Sequence, residues 1–225
     1  MPFDIMHKIE GVIFDLDGVI VDTAQFHYVA WKKLAKEWGY ALSLENNEQL
    51  KGVSRMDSVR KIAHWAGVHP TEEKLAQVAK QKNDTYLKLC GQLTPDYLLP
   101  GIADLLAQLK ANKVRIALGS ASKNAHFVLK KLGLSTVFDV VVDGNSVIHS
   151  KPNPEVFLKA ARLMKVLPQN CVVIEDAPAG IEAALAAGMH AVGLGNPNEL
   201  YKAHVVLPNA TNLTMKQLNI IKGVA

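Results

Sequence analysis

The stretch V12-I13-F14-D15-L16-D17-G18-V19 joins a β-branched and aromatic run to two carboxylates spaced one residue apart. Val, Ile and Phe suit a buried strand. Side chains alternate along a strand, so a strand carried through Asp17 turns Asp15 and Asp17 the same way, and in a parallel sheet its carboxyl end opens on the binding crevice. Acids placed so closely repel. A cation relieves them, and hard oxygen ligands in this number favour Mg2+, which keeps part of its water and recruits substrate phosphate. An acidic turn that merely ends the strand at Asp17-Gly18 accounts for the same residues.

Comparable apolar runs recur after Asp96: R115-IALGS, D139-VVVDG, C171-VVIEDA and A191-VGLG. Between them lie segments of helical period, Ile102, Leu105, Leu106 and Leu109 in one and Phe127, Val128 and Leu132 in the next. Strand alternating with helix predicts an α/β fold, a doubly wound parallel sheet of Rossmann-like form. From about Asp22 to about Cys90 no such strand occurs, and the pattern predicts helices over Ala24–Trp38, Met56–Ala66 and Thr71–Leu89. T71-EEK places acid in a first turn, where the helix dipole favours it. We read residues 22–94 as a helical insertion, and residues 1–21 with 95–225 as the core. No internal repeat or low-complexity segment is evident.

The chain of 225 residues is 49% hydrophobic and 20% charged, with a net charge of only +4. Its Lys and Arg residues are scattered, so nucleic acid is a poor partner. Cys90 and Cys171 read as buried thiols, which fits a reducing cytoplasm. M1-PFDIMHKIEG lacks the apolar core of a signal peptide, and no stretch approaches the roughly 18 apolar residues of a membrane span. The expectation is a soluble cytoplasmic protein without a membrane partner.

The run V172-V173-I174-E175-D176 ends in a second acid pair, followed by the Pro-led helix start A177-PAG. That gathers four carboxylates at one sheet edge. Gly119-Ser120-Ala121-Ser122 is a small-residue loop whose N–H groups and hydroxyls suit phosphate oxygens, although Ser120 or Ser122 could simply cap the next helix, the role expected of Ser122. Lys151 precedes Pro152, which holds the backbone extended and lets the side chain reach the same crevice. A carboxylate cluster and a transferring phosphoryl group both need such a fixed cation.

In order, D15-L-D17-G-V, G119-S120-A-S, K151-P and E175-D176 resemble the four motifs of the haloacid dehalogenase-like superfamily of phosphoryl-transfer enzymes. The insertion is similar to the α-helical cap of that superfamily's first cap class. F14-DLDGVIVDTAQFHYVAW, N47-EQLKGVSRMDS, K80-QKND and G119-SASKN further resemble its branch that interconverts β-glucose 1-phosphate and glucose 6-phosphate. That resemblance implies a bound β-glucose 1,6-bisphosphate intermediate and an aspartyl-phosphate. It implies Asp15 as nucleophile and Asp17 as general acid and base. Mg2+ would sit on the Asp15 carboxylate, the Asp17 backbone carbonyl and Asp176, with Glu175 close by. Ser120, Ala121 and Lys151 would surround the transferring phosphoryl group, and Arg55 would grip the distal phosphate. Lys51, Gly52, Ser58 and Asn124 would contact sugar or phosphate, while His27 and Lys82 would couple cap closure to placement of Asp17. Thr23 would fall in the hinge. Small sugar phosphates are the implied partners of a chain expected to be monomeric.

Each cap residue has a plainer reading: His27, one helical turn from Trp31, as a half-buried histidine, Arg55 and Lys51 as solvated charges, Gly52 as a helix end. Ala177 stands where the superfamily pattern often has Ser. G144-NSVIH need only link strand to helix, and the tail after Pro197 carries no motif. The main rival is a Mg2+-dependent sugar-phosphate phosphatase with the same core. A haloacid dehalogenase fits less well because Asp17 supplies an acid and base; a phosphonate-cleaving relative would need a Schiff-base lysine such as Lys51. A non-catalytic sugar-phosphate sensor would keep the fold without turnover.

Overall fold

A computed structural model describes residues 9–211 and 213–223. Six parallel strands form one sheet in the order β3-β2-β1-β4-β5-β6. They are β1 (Gly11–Phe14), β2 (Arg115–Gly119), β3 (Val140–Val142), β4 (Cys171–Glu175), β5 (His190–Leu194) and β6 (Val205–Leu207). Strand order reverses between β1 and β4, which pair with Phe14 opposite Ile174. Crevices at such reversals, beyond the strands' carboxyl ends, are where ligands bind in this kind of sheet.

Period-two alternation sends side chains to two separate cores. Val12, Phe14, Ile116, Leu118, Val172 and Ile174 pack on one face, with α5 (Ile102–Ala111), α6 (Ala125–Lys131) and α9 (Met215–Gly223). Ile13, Ala117 and Val173 pack on the other, with α7 (Glu155–Met164) and α8 (Pro178–Ala186). Both faces are covered, which is why the strands read as continuous apolar runs.

Between β1 and β2 come α1 (Ala24–Glu37), α2 (Leu44–Glu48), α3 (Arg55–Trp65) and α4 (Glu72–Cys90). They share their own apolar cluster, built on Trp31, Leu34, Val59, Ile62, Leu75 and Val78. Ser43, Ser54 and Thr71 cap α2, α3 and α4, each side chain accepting a first-turn N–H. The roots of α1 and α4 belong to the main core, where Ala30, Tyr86 and Cys90 are buried. The chain crosses into these helices and back at one place, where Leu99 N–H donates to Ile20 C=O and Val21 bridges Leu98.

The structure amends several expectations. β1 ends at Phe14, and the backbone then turns sharply, with Ile20 N–H on Leu16 C=O and Gly18 N–H on Val21 C=O. The two carboxylates therefore leave the strand before they are placed. β6, α2 and α9 were not legible: β6 is three residues long and lies in the tail that carried no motif. Cys90 and Cys171 are buried without a disulfide. Among the described residues no helix is long and apolar enough to cross a membrane. The expected readings of the extreme amino terminus fall on residues 1–8, outside those described.

Candidate active site

The loops after β1, β2 and β3 and the last residue of β4 carry Asp15, Ser120, Lys151 and Glu175 to one edge of the sheet. Asp15 sits one residue past β1, its N–H still bonded to Ile174 C=O, so its backbone is fixed by the sheet. Lys151 Nζ donates to Asp15 Oδ1 at 2.5 Å and to Glu175 Oε1 at 2.6 Å. All three are buried. Glu175 Oε2 also accepts the Ala177 N–H at 2.8 Å, so the turn into α8 is held by the carboxylate itself.

Asp15, Glu175 and Asp176 each present an oxygen within 4.8 Å of the others. Burial pushes Asp15 well above the ordinary carboxylate range; Lys151 only partly offsets it, and Glu175, Asp17 and Asp176 add to it. Asp176 is pushed up to about 7 by burial and Glu175, against the pull of Lys51. These shifts mark an excess of negative charge in low dielectric. A small divalent cation with oxygen ligands is what such a cluster suits, and Mg2+ fits the donor set.

Gly18 makes the approach possible. It adopts φ +81°, and a Cβ there would lie 2.1 Å from Asp176 Oδ2. Gly180 does the same for Glu175, whose Oε1 would be 1.9 Å from an added Cβ.

Asp17 faces the helices, not the carboxylate cluster. The Thr23 hydroxyl donates to its Oδ1, Tyr86 Oη donates to the same oxygen at 3.4 Å, and His27 Nε2 lies 3.6 Å from it. Its carboxylate is thus separate from the cluster of Asp15, Glu175 and Asp176, in keeping with the expectation that Asp17 would meet a metal through its backbone carbonyl and not its side chain. Burial would raise Asp17, but His27, Thr23 and Lys82 outweigh it and hold the carboxyl below its ordinary value. Thr23 is the N-cap residue of α1, yet its hydroxyl makes no cap bond and goes to Asp17 instead.

The remaining candidates line a cavity between the helices and the sheet edge: His27, Lys51, Gly52, Arg55, Ser58, Lys82, Ser120, Ala121 and Asn124, with Asp15, Asp17 and Asp176. Glu175 and Lys151 are not on its wall but buried beneath it. Lys82 Nζ is 2.7 Å from His27 Nδ1 and 4.1 Å from the centroid of the Trp31 ring. Lys51 bridges the two parts of the molecule, 2.7 Å from Glu48 and 3.5 Å from Asp176. Gly52, at φ +70°, brings the backbone against Lys151 and Ala177. The Ser58 hydroxyl is taken by Ser54 C=O. Arg55 opens α3, half-buried, and no hydrogen bond or ion pair within hydrogen-bonding reach among the described residues engages it.

Two loop readings need correction. Ser122 does not cap α6; Ser120 Oγ accepts the Ser122 N–H and Ser122 Oγ accepts the Asn124 N–H, so both hydroxyls shape the loop two residues ahead. The segment from Gly144 to His149 does more than link strand to helix. Gly144 N–H donates to Ser122 C=O, Asn145 Nδ2 donates to Lys123 C=O, and the segment walls a second cavity shared with Arg55, Ser120 and Ala121. Sequence reasoning also missed Tyr86 and Asn83. Asn83 Oδ1 accepts from Asn124 Nδ2 at 2.8 Å, a bond from α4 to the core. Their signal was present in the helical spacing from Lys82, but a polar residue on a helix face does not announce which face is buried.

Residues 9–188 match a family described as haloacid dehalogenase-like hydrolase. The chain is 41% identical over 212 residues to the β-phosphoglucomutase of Bacillus subtilis, covering 93% of this chain and 94% of that protein. It is 33% identical over 183 residues to the fructose-1-phosphate phosphatase YqaB of Escherichia coli, covering 81% and 94%. A solved β-phosphoglucomutase from Clostridium difficile superimposes with a TM-score of 0.92 at 43% identity, over 96% of this chain and 98% of that one.

Proposed function

The chain belongs to the haloacid dehalogenase-like hydrolase family, and from that premise we propose that it is a Mg2+-dependent phosphomutase interconverting β-glucose 1-phosphate and glucose 6-phosphate. The observation that carries this reading is the attachment of Asp17 to the helical insertion through Thr23, His27 and Tyr86. An acid and base fixed by the cap is in place when the cap sits on the core, and is tied to the same closure that excludes water. The insertion, taken as residues 22–94, acts as that cap.

Asp15 is the nucleophile. In phosphoryl transfer from β-glucose 1,6-bisphosphate, a bond forms between an Asp15 carboxylate oxygen and phosphorus while the phosphorus–sugar oxygen bond breaks. Asp17 gives its proton to the departing sugar oxygen. In the reverse half, Asp17 takes the proton of the C6 hydroxyl of β-glucose 1-phosphate as that oxygen accepts the phosphoryl group from Asp15. The bisphosphate formed then turns, and transfer of its C1 phosphoryl group to Asp15 leaves glucose 6-phosphate. Lys151, Ser120 and the Ala121 N–H receive the phosphoryl oxygens, and Arg55 supplies a planar fork for the phosphate that is not moving.

Asp15, Asp176 and the Asp17 carbonyl, with Glu175 beside them, would hold Mg2+, which when bound draws off charge from the transferring group. Lys51 takes part of the same task from the cap side, since it already faces Asp176.

The test is a coupled assay of glucose 6-phosphate from β-glucose 1-phosphate with Mg2+, with and without a trace of β-glucose 1,6-bisphosphate, alongside inorganic phosphate. Glucose 6-phosphate formed with little phosphate is expected. Phosphate release without isomerisation would make the chain a sugar-phosphate phosphatase.

A further inference from the structure

Among the described residues Tyr86 is the largest fully buried side chain; it roots in the main core, its hydroxyl also meets Thr23 and the Cys90 thiol, and its other neighbours are residues of the site. Its ring centroid lies 4.1 Å from that of His27, and Lys82 Nζ stands 5.1 Å from the ring centroid. Its hydroxyl reaches Asp17 Oδ1 at 3.4 Å. A buried Tyr hydroxyl needs a polar partner, and Asp17 provides it at the point of the proposed proton transfer.

The three contacts on Asp17 share one atom. Thr23 Oγ1 and Tyr86 Oη donate to Oδ1, and His27 Nε2 approaches Oδ1 as well. No hydrogen bond among the described residues ends on Oδ2, although Asp17 lines the cavity and its side chain keeps 23% of its exposure. With Cγ tied to the backbone through Cβ and Oδ1 held by these contacts, the carboxylate plane is set, and its second oxygen is presented in a fixed direction.

We propose that Tyr86 is a positioning residue for proton transfer: with Thr23 it fastens Asp17 through Oδ1, so that Oδ2 alone exchanges the proton with the sugar oxygen. This rests on the phosphomutase reading above. The balance is simple. The proton moves between Oδ2 and the sugar oxygen, while Oδ1 accepts the same two hydroxyls whether Asp17 is ionised or neutral. A phenol hydroxyl carries its own proton, which it directs to Oδ1.

The test uses two reactions of one site. Transfer between sugar oxygens needs the Asp17 proton, whereas acetyl phosphate phosphorylates Asp15 with departure of acetate, which leaves as an anion. Tyr86→Phe keeps the ring against His27 and removes only the hydroxyl. The expected result is a mutase kcat lower by about tenfold, KM for β-glucose 1-phosphate within about twofold, and the acetyl phosphate rate within about twofold. p-Aminophenylalanine at position 86 returns an N–H donor and should recover kcat to within about threefold of the unaltered chain. An unchanged kcat in Tyr86→Phe, an equal fall in both reactions, or no recovery with the amino analogue would overturn the proposal. Should the unaltered chain release phosphate without isomerising, the phosphomutase reading fails separately. The same ratio, taken between sugar-phosphate hydrolysis and acetyl phosphate, then decides the role of Tyr86.

Discussion

Lys82 Nζ lies 2.7 Å from His27 Nδ1, and the other nitrogen of that ring, Nε2, faces Asp17 Oδ1 at 3.6 Å. Where Lys82 carries its proton, below about pH 7, the ammonium only donates, so Nδ1 accepts and the ring proton sits on Nε2, towards Asp17. Burial, then the charge of Lys82, hold His27 below its ordinary pKa. Lys82 thereby sets which tautomer meets Asp17, the proposed acid and base. Lys82→Met retains a stem against Trp31 but loses that control, and mutase kcat should fall by about tenfold or more. The rate of Asp15 phosphorylation by acetyl phosphate should change far less; an equal loss in both would count against the relay.

The same lysine carries a stability signature. Burial and Arg55 pull its pKa from 10.5 down to about 7. Between those values the unfolded chain binds the proton and the folded chain does not, so this group's contribution to stability rises with pH across that window. Below pH 7 both states are protonated and the contribution is at its least favourable. Melting measured from pH 7 to pH 9.5 without added metal should show the unaltered protein gaining on Lys82→Met as pH rises. A difference independent of pH would show that the ammonium is not buried at this cost.

Gly18→Ala tests the contact between the first loop and the fourth. At φ +81° an Ala is strained, and its Cβ would lie 2.1 Å from Asp176 Oδ2. The carboxylate must move out of the cluster. The loss of stability should be about 1 kcal/mol or more, and the Mg2+ concentration for half-maximal turnover should rise by about tenfold or more. Unchanged Mg2+ dependence would mean that Asp176 is not a ligand.

Much of the core could be read in the chain because its strands are buried on both faces, so Val12–Phe14 and Cys171–Ile174 stand out as apolar runs that end in acid. β6 escaped because three half-buried residues at a sheet edge leave no such run. Within the site, the convergence of Asp15, Lys151 and Glu175 at one sheet edge was legible from strand ends and motif, whereas Arg55 by itself read as a solvated charge and gained a place only through the resemblance. Tyr86 was not legible, because its role comes from a helix face turned inwards onto Asp17, a tertiary fact. Ser122 misled in the other direction: a serine near a helix start fits a cap, but Lys123 and Asn124 separate it from Ala125, and its oxygen serves the Asn124 N–H. The departure at Ala177 has a physical reading too, since what the turn uses there is the backbone N–H bonded to Glu175.

Arg55 stands at the start of α3 on the cavity wall, and burial, only partly countered by Tyr86 and Asp84, lowers its pKa. It remains charged, because a guanidinium does not lose its proton in a protein. A half-buried cation without an acidic partner in hydrogen-bonding reach among the described residues suits a phosphate that arrives with the substrate. Arg55→Lys keeps the charge and loses the two-pronged geometry. KM for β-glucose 1-phosphate should rise by about tenfold, while hydrolysis of the aspartyl-phosphate by water changes by less than about twofold. Equal effects on both would remove Arg55 from the distal phosphate.

The final prediction concerns the cation and the protons it replaces. Without a cation, Asp176 has a pKa of about 7 when folded against 3.8 as an ordinary Asp, raised by burial and then by Glu175. Between these values the folded chain binds the extra proton, so this contribution to stability is present at low pH and is lost as pH rises through 7. Mg2+ competes with that proton and binds best once it has gone. The rise in melting temperature produced by a fixed Mg2+ concentration should therefore be larger at pH 8 than at pH 5.5. Calorimetric titrations at pH 6 in buffers of different ionisation enthalpy should register protons released on binding. Asp176→Asn should abolish most of both effects. If the Mg2+-induced rise were the same at the two pH values in the unaltered protein, the carboxylates would be ionised already, and the cluster would hold its charge by Lys51 and Lys151 alone.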